Sequence, residues 1–232
     1  MRFKVYLEQS VELEAAMFME KMLDKAFVLY LNGEKNFQKC LRAVWPSDAV
    51  RSFDVTLPES LPNPVGGQPV LLVRSGPSQI ASCMHNDDVF SGFKLNIGPI
   101  VTAKSIDAAG EWLEKLKNAV HHEAEHIHSP GTDYEAWEDD DKDQKIKSTL
   151  KYLSHEGEIK AHAREFAVAY SRVYPHQSFD LDKAKAMLSK VNSTHQSYFS
   201  VDEKWDQYKK YGFPNPYPRY VQLIPQYLRD YL

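Results

Sequence analysis

Cysteine is scarce. The chain carries 2 cysteines among 232 residues, Cys40 and Cys83, too few for a disulfide scaffold or for a zinc site built on thiolates. Long apolar runs are also missing, so no stretch reads as a bilayer span. No basic start followed by an apolar run and a small-residue cleavage site marks a secretory leader. Strong charge of one sign is lacking too: a formal net charge of -4 favours neither nucleic acid nor an anionic membrane as a partner. No internal repeat is evident. These absences predict a cytoplasmic type of globular protein with no nucleic-acid or membrane partner. Its length suffices for one good core, or one core plus a helical appendage.

Against that plain background stands His122-Glu123-Ala124-Glu125-His126. Residues four apart on a helix lie on one face, so His122 and His126 can offer two imidazole nitrogens to a single metal ion, while Glu123 beside them stays available as a proton acceptor. Ile106, Ala109, Leu113, Leu116, Val120 and Ile127 recur at helical spacing before and after the motif, and Ser105 and Asp107 are start signals for that helix. At roughly 100° per residue the histidine pair falls on the flank of this stripe, turned toward a cleft. His121 and His128 point elsewhere and are expected to be bystanders. The competing expectation for the whole cluster is a solvated helix end, where histidine is favoured by the helix dipole.

Residues 152–167 predict a second helix, with Ile159, Ala163, Phe166, Tyr170 and Val173 as its apolar stripe and Glu158, His162 and Glu165 on an adjacent flank. A zinc held by two histidines needs a third protein ligand that leaves one position open, and a carboxylate from another helix meets that need. Glu158 is the best candidate. Glu156, His155 and His162 are alternatives, although an acidic Glu156 at the helix start is favoured by the dipole on any account. His162 is a candidate ligand, a partner that orients a ligand, or a donor to an oxyanion; a half-exposed helical histidine is the competing expectation. Tyr152 and Tyr134 are further oxyanion candidates.

The pentapeptide followed by Glu158-Ile159-Lys160-Ala161-His162-Ala163 resembles the gluzincin branch of the zincin metallopeptidases, over about residues 93–173. The E-x-x-A-H-A form is similar to small metallopeptidase-like proteins of phages and bacteria. The resemblance implies zinc bound by His122, His126 and Glu158, with Glu123 as general base and a peptide or protein as substrate. It also implies that the strand before the motif helix is the edge strand on which substrate backbone pairs. Residues 93–97, alternating apolar and polar between Gly92 and Gly98-Pro99, are the expected strand. The chain lacks the N-E-x-x-S-D and E-x-x-A-D sequences of better-known members, so the carboxylate that orients a histidine ligand is left unassigned. A phage-encoded protein of this kind would work in the host cytoplasm or the virion.

Elsewhere, residues 2–7 alternate as a first strand. A helix starting near Ser10 carries the stripe Met19, Met22, Leu23, Ala26, Phe27 and Tyr30, expected to be core, and stops at Asn32-Gly33. Apolar runs at residues 53–57 and 70–73 predict sheet, with a loop at 58–69. The acidic run 135–143 predicts a solvated loop. Short helices are expected at 181–191 and 201–211, an extended connector at 212–218, and a last amphipathic piece at 220–232 interrupted by Pro225. Tyr217, Tyr220, Tyr227 and Tyr231 there either pack on the body or dock a protein partner.

The expected fold is α+β, a mostly helical zincin-like arrangement with a small mixed sheet, an H-E-x-x-H helix and a helical C-terminal extension. The expected domains are residues 1–174, with residues 175–232 packed on them. The expected function is zinc-dependent peptide hydrolysis. The alternative is a catalytically inactive, metal-binding structural or interaction protein, such as a virion or assembly component.

Overall fold

The computed structural model describes residues 2–34, 36–44, 70–74, 80–86, 89–127, 142–191 and 193–231. It is mostly helical with one small mixed sheet, and its chain falls into two compact units, Met1–Pro130 and Gly131–Leu232. The boundary expected between residues 174 and 175 is thus not where the chain divides. The expected runs at 53–57 and 58–69 lie outside the described residues, as do Tyr134, His128 and most of the acidic run. Among the described residues no helix is long and apolar enough to cross a membrane.

The first unit opens with α1, Arg2–Leu31. The strand expected at residues 2–7 is helix instead, because neither glycine nor proline interrupts residues 2–31 and a brief alternation of apolar residues cannot break a helix that continues past it. Met19, Met22, Leu23 and Ala26 are buried and Phe27 and Tyr30 pack against them, so the methionine-rich side is core. The helix stops at Gly33, whose φ of +110° an L side chain would resist. After it, α2 (Phe37–Val44) inserts Phe37, Cys40 and Leu41 into the same core.

Strands β1 (Val70–Arg74), β2 (Ala81–Asn86) and β3 (Val89–Asn96) form a sheet of order β1-β3-β2, β1 parallel and β2 antiparallel to β3. The strand expected at residues 93–97 is therefore real but central, not an edge; a parallel partner from far back in the sequence covers the side that the local pattern leaves open. Phe93 and Leu95 point into the core. A short helical turn, α3 (Gly98–Val101), leads from the sheet to α4, Ile106–Ala124. Ser105 caps α4 as expected, its hydroxyl accepting the Ala108 N–H at 3.1 Å. The stripe Ala109, Leu113, Leu116, Val120 and Ile127 is buried, but Ile106 in the first turn is 59 % exposed.

In the second unit the helix expected over residues 152–167 is two helices, α5 (Lys142–Ser154) and α6 (Glu156–Val173), separated by His155 in an extended conformation. The acidic run ends inside α5, where Asp143 pairs with Lys210 at 3.1 Å and accepts from the Tyr211 hydroxyl. Helices α7 (Leu181–Ala186), α8 (Ser193–Phe199) and α9 (Val201–Tyr211) follow, and Gly212 closes α9 with φ +75°. The last helix, α10 (Tyr217–Leu228), runs through Pro225 rather than breaking there. Only one further turn follows the proline, so a single missing backbone bond is tolerated at a helix end. Its Tyr220, Leu223, Ile224 and Tyr227 are buried with Ile159, Phe166 and Tyr170 of α6 in one core.

Candidate metal centre and active site

In the first unit the motif sits where α4 ends. The last turn tightens into bonds three residues long: the N–H groups of Glu125, His126 and Ile127 donate to the carbonyls of His122, Glu123 and Ala124 at 3.1, 3.0 and 3.2 Å. The two imidazoles keep a common side, with ring centres 5.2 Å apart and planes at 62°. Two imidazoles on one tetrahedral zinc, with bonds of about 2.0 Å, place their ring centres about 5 Å apart. The pair therefore fits one such ion. His122 and His126 are buried, unlike a solvated helix end.

Glu123 is half-buried between them in sequence and is engaged from the sheet: the Cys83 N–H of β2 donates to Glu123 Oε2 at 2.6 Å. Among the described residues β2 lies at one side of the sheet, next to the motif, whereas residues 93–96 belong to the central strand. His121, expected to be a bystander to the metal, is not part of a solvated helix end. It is fully buried, with Nε2 2.9 Å from Glu20 Oε2 of α1, and Lys117 one turn earlier pairs with Asp24 at 2.9 Å, Glu114 at 3.0 Å and Glu20 at 3.5 Å. That cluster ties α4 to α1.

In the second unit, Glu158 lies in the first turn of α6 and is 4 % exposed. Its rivals have other surroundings. Glu156 is exposed, and one of its oxygens accepts from Arg219 Nε at 3.0 Å and Nη2 at 2.8 Å; His155 is exposed at the helix boundary. A buried carboxylate in an N-terminal helical turn is a donor of the type that zinc accepts beside imidazole.

His162 has both ring nitrogens engaged within this unit: Nε2 lies 3.0 Å from the Tyr152 hydroxyl and Nδ1 3.2 Å from Glu165 Oε2. The same carboxylate oxygen is 3.5 Å from Nε2 of His195, whose Nδ1 is 3.0 Å from the Tyr220 hydroxyl. An ionised Glu165 can only accept, so it takes the proton-bearing Nδ1 of His162, whose Nε2 then accepts from the Tyr152 hydroxyl. Burial pushes the Tyr220 hydroxyl well above its usual range, and Tyr198 and Glu165 add to the shift, which keeps its proton in place to donate. The half-exposed helical histidine expected as the alternative is not what is found, since His162 is 4 % exposed. His195 escapes sequence reasoning altogether: it has no helical spacing to α6, and only the packing of α8 brings it to Glu165.

No family model matches the chain, and no curated protein or solved structure matches it either.

Proposed function

We propose that the chain is a zinc-dependent peptidase in which His122, His126 and Glu158 hold the metal and Glu123 is the general base. The observation that carries this reading is the paired, buried imidazoles of α4 with a carboxylate next to them anchored on a sheet edge. Zinc, when bound, supplies Lewis acidity, polarising a carbonyl and making water acidic enough to be deprotonated near neutral pH. Glu123 takes that proton on its carboxylate and returns it to the leaving amine. An extended peptide or protein segment lies along β2, since main-chain groups on a sheet edge recognise backbone irrespective of side chain. Tyr152, whose hydroxyl meets His162, becomes an oxyanion donor only by leaving that bond. The place of action is the cytoplasm, or the host cytoplasm or virion if the chain is phage-encoded.

The test is the zinc content of tag-free protein purified without added metal, followed by peptide turnover. About one zinc per chain, lost in His122→Ala and His126→Ala and weakened in Glu158→Ala, supports the ligand set. Failure to retain zinc overturns it. Zinc retained without cleavage of any peptide would favour instead a metal-bearing structural or assembly protein, with the half-buried Tyr217 and Tyr231 as contacts for a protein partner.

A further inference from the structure

We propose that the main-chain N–H of Cys83 is the group that fixes the Glu123 carboxylate, whatever side chain residue 83 carries; its kinetic consequence rests on Glu123 being the general base. The ladder explains why this N–H is available. The Asn96 N–H donates to the Ile80 carbonyl at 2.9 Å, and the partners then run Ala81 with Leu95, Ser82 with Lys94 and Cys83 with Phe93. Hydrogen-bonded and non-hydrogen-bonded pairs alternate along an antiparallel ladder, so Cys83 falls on a non-hydrogen-bonded pair. Its N–H points away from β3, and the β2–β3 ladder does not use it.

Glu123 does. A main-chain N–H donating to a carboxylate, here at 2.6 Å, makes a charge-assisted bond, about twice as strong as a neutral one. Holding Oε2 restricts the last torsions of a flexible side chain and leaves Oε1 as the oxygen that exchanges protons. Such orientation matters for a base, because a displacement of about 1 Å can cost about a hundredfold in rate. Any residue with an N–H serves at position 83; proline alone removes the donor, and on the side of β2 that faces away from β3 it breaks no bond of the β2–β3 ladder.

Selective 15N-cysteine labelling of the full chain gives two amide signals, because the chain has 2 cysteines. The Cys83 amide proton is expected far downfield in the wild type and shifted upfield in Glu123→Gln, with a neutral acceptor, and in Glu123→Asp, one methylene too short, while Cys40 stays in place. A Cys83 signal indifferent to both variants overturns the anchoring. These signals require no change in β2, so they decide the matter even where proline unfolds the strand.

On the zinc-loaded protein, Cys83→Pro should lower kcat by about a hundredfold with KM and zinc content held, and Cys83→Ala, which keeps the N–H, should recover most of that loss. Wild-type kcat in Cys83→Pro with a raised KM overturns the proposal and hands this N–H to the backbone of the bound peptide. If the wild type cleaves no peptide while the Cys83 signal follows Glu123, peptide hydrolysis fails and the anchoring stands.

Discussion

The two units bury the same residue types for different ends. In the first, His122 and His126 face one another across 5.2 Å, and the carboxylate between them in sequence reaches away to a main-chain donor on β2. In the second, His162 and His195 converge on one oxygen of Glu165, and Tyr152 and Tyr220 close the two ends. The first arrangement sets two imidazoles side by side with a neighbouring carboxylate held on a main-chain donor. The second satisfies its donors and acceptors internally and joins α5, α6, α8 and α10, as a core requires. Helical spacing alone does not separate them: His122 with His126 and His162 with Glu165 each lie about one helical turn apart.

The sharpest way to break this comparison is to exchange charge for amide in the first unit. Glu123→Gln is expected to lower turnover by about 10²–10⁴-fold while zinc content and stability stay close to wild type, since Glu123 is only half-buried. Retained turnover would remove the functional side of the contrast. In the second unit the expected weights reverse. Glu165→Ala leaves the buried Nδ1–H of His162 without its acceptor and removes the carboxylate beside His195, at a cost of about 1–3 kcal/mol, read as a lower urea midpoint. A loss below about 0.5 kcal/mol would show that the network is peripheral to the fold.

What could be read in advance divides along a similar line. The helix α4, its Ser105 cap and its buried stripe were legible because their signals lie within a few residues of one another. The short period-2 pattern at residues 2–7 misled, because the absence of any breaker up to Leu31 outweighs it. The central position of β3 was hidden, since β1, which covers its other side, is contributed by residues 70–74. The His122, Glu123, His126 constellation was visible as spacing, but the Cys83 donor depends on which way a strand turns its N–H. His195 and Tyr220 depend on helix packing between segments with no shared periodicity.

A smaller effect concerns tyrosine ionisation in the second unit. Tyr208 is fully buried in a small cluster with Leu150, and its hydroxyl has no hydrogen-bond partner among the described residues. Burial pushes its pKa from 10.0 up to about 12. In the unfolded chain the hydroxyl ionises near its ordinary value; in the folded chain it stays protonated to higher pH. Its contribution is therefore fully present below pH 10 and lost as pH rises to about 12, by about 2–3 kcal/mol. Burial raises Tyr170 and Tyr220 in the same direction. Thermal melts between pH 8 and pH 12 should show this decline, and Tyr208→Phe should reduce its steepness while adding about 1 kcal/mol at neutral pH by deleting the orphaned hydroxyl. An unchanged alkaline slope in Tyr208→Phe would assign the decline to other groups.

The mildest test concerns how each unit starts its site-bearing helix. α4 begins with a side-chain cap, the Ser105 hydroxyl on the Ala108 N–H, whereas α6 begins at His155, which makes no side-chain cap bond although its φ of -74° and ψ of 129° are those of a capping residue. Ser105→Ala should cost about 1 kcal/mol. His155→Ser should gain about 0.5–1 kcal/mol, because a hydroxyl there can accept an orphan N–H of the first turn. The exchange also removes the imidazole lying over Gly157. Denaturant midpoints measure both. If His155→Ser instead destabilises, the ring packed across Gly157 is worth more than a cap, and the start of α6 is held by that contact together with the Arg219 pairing of Glu156.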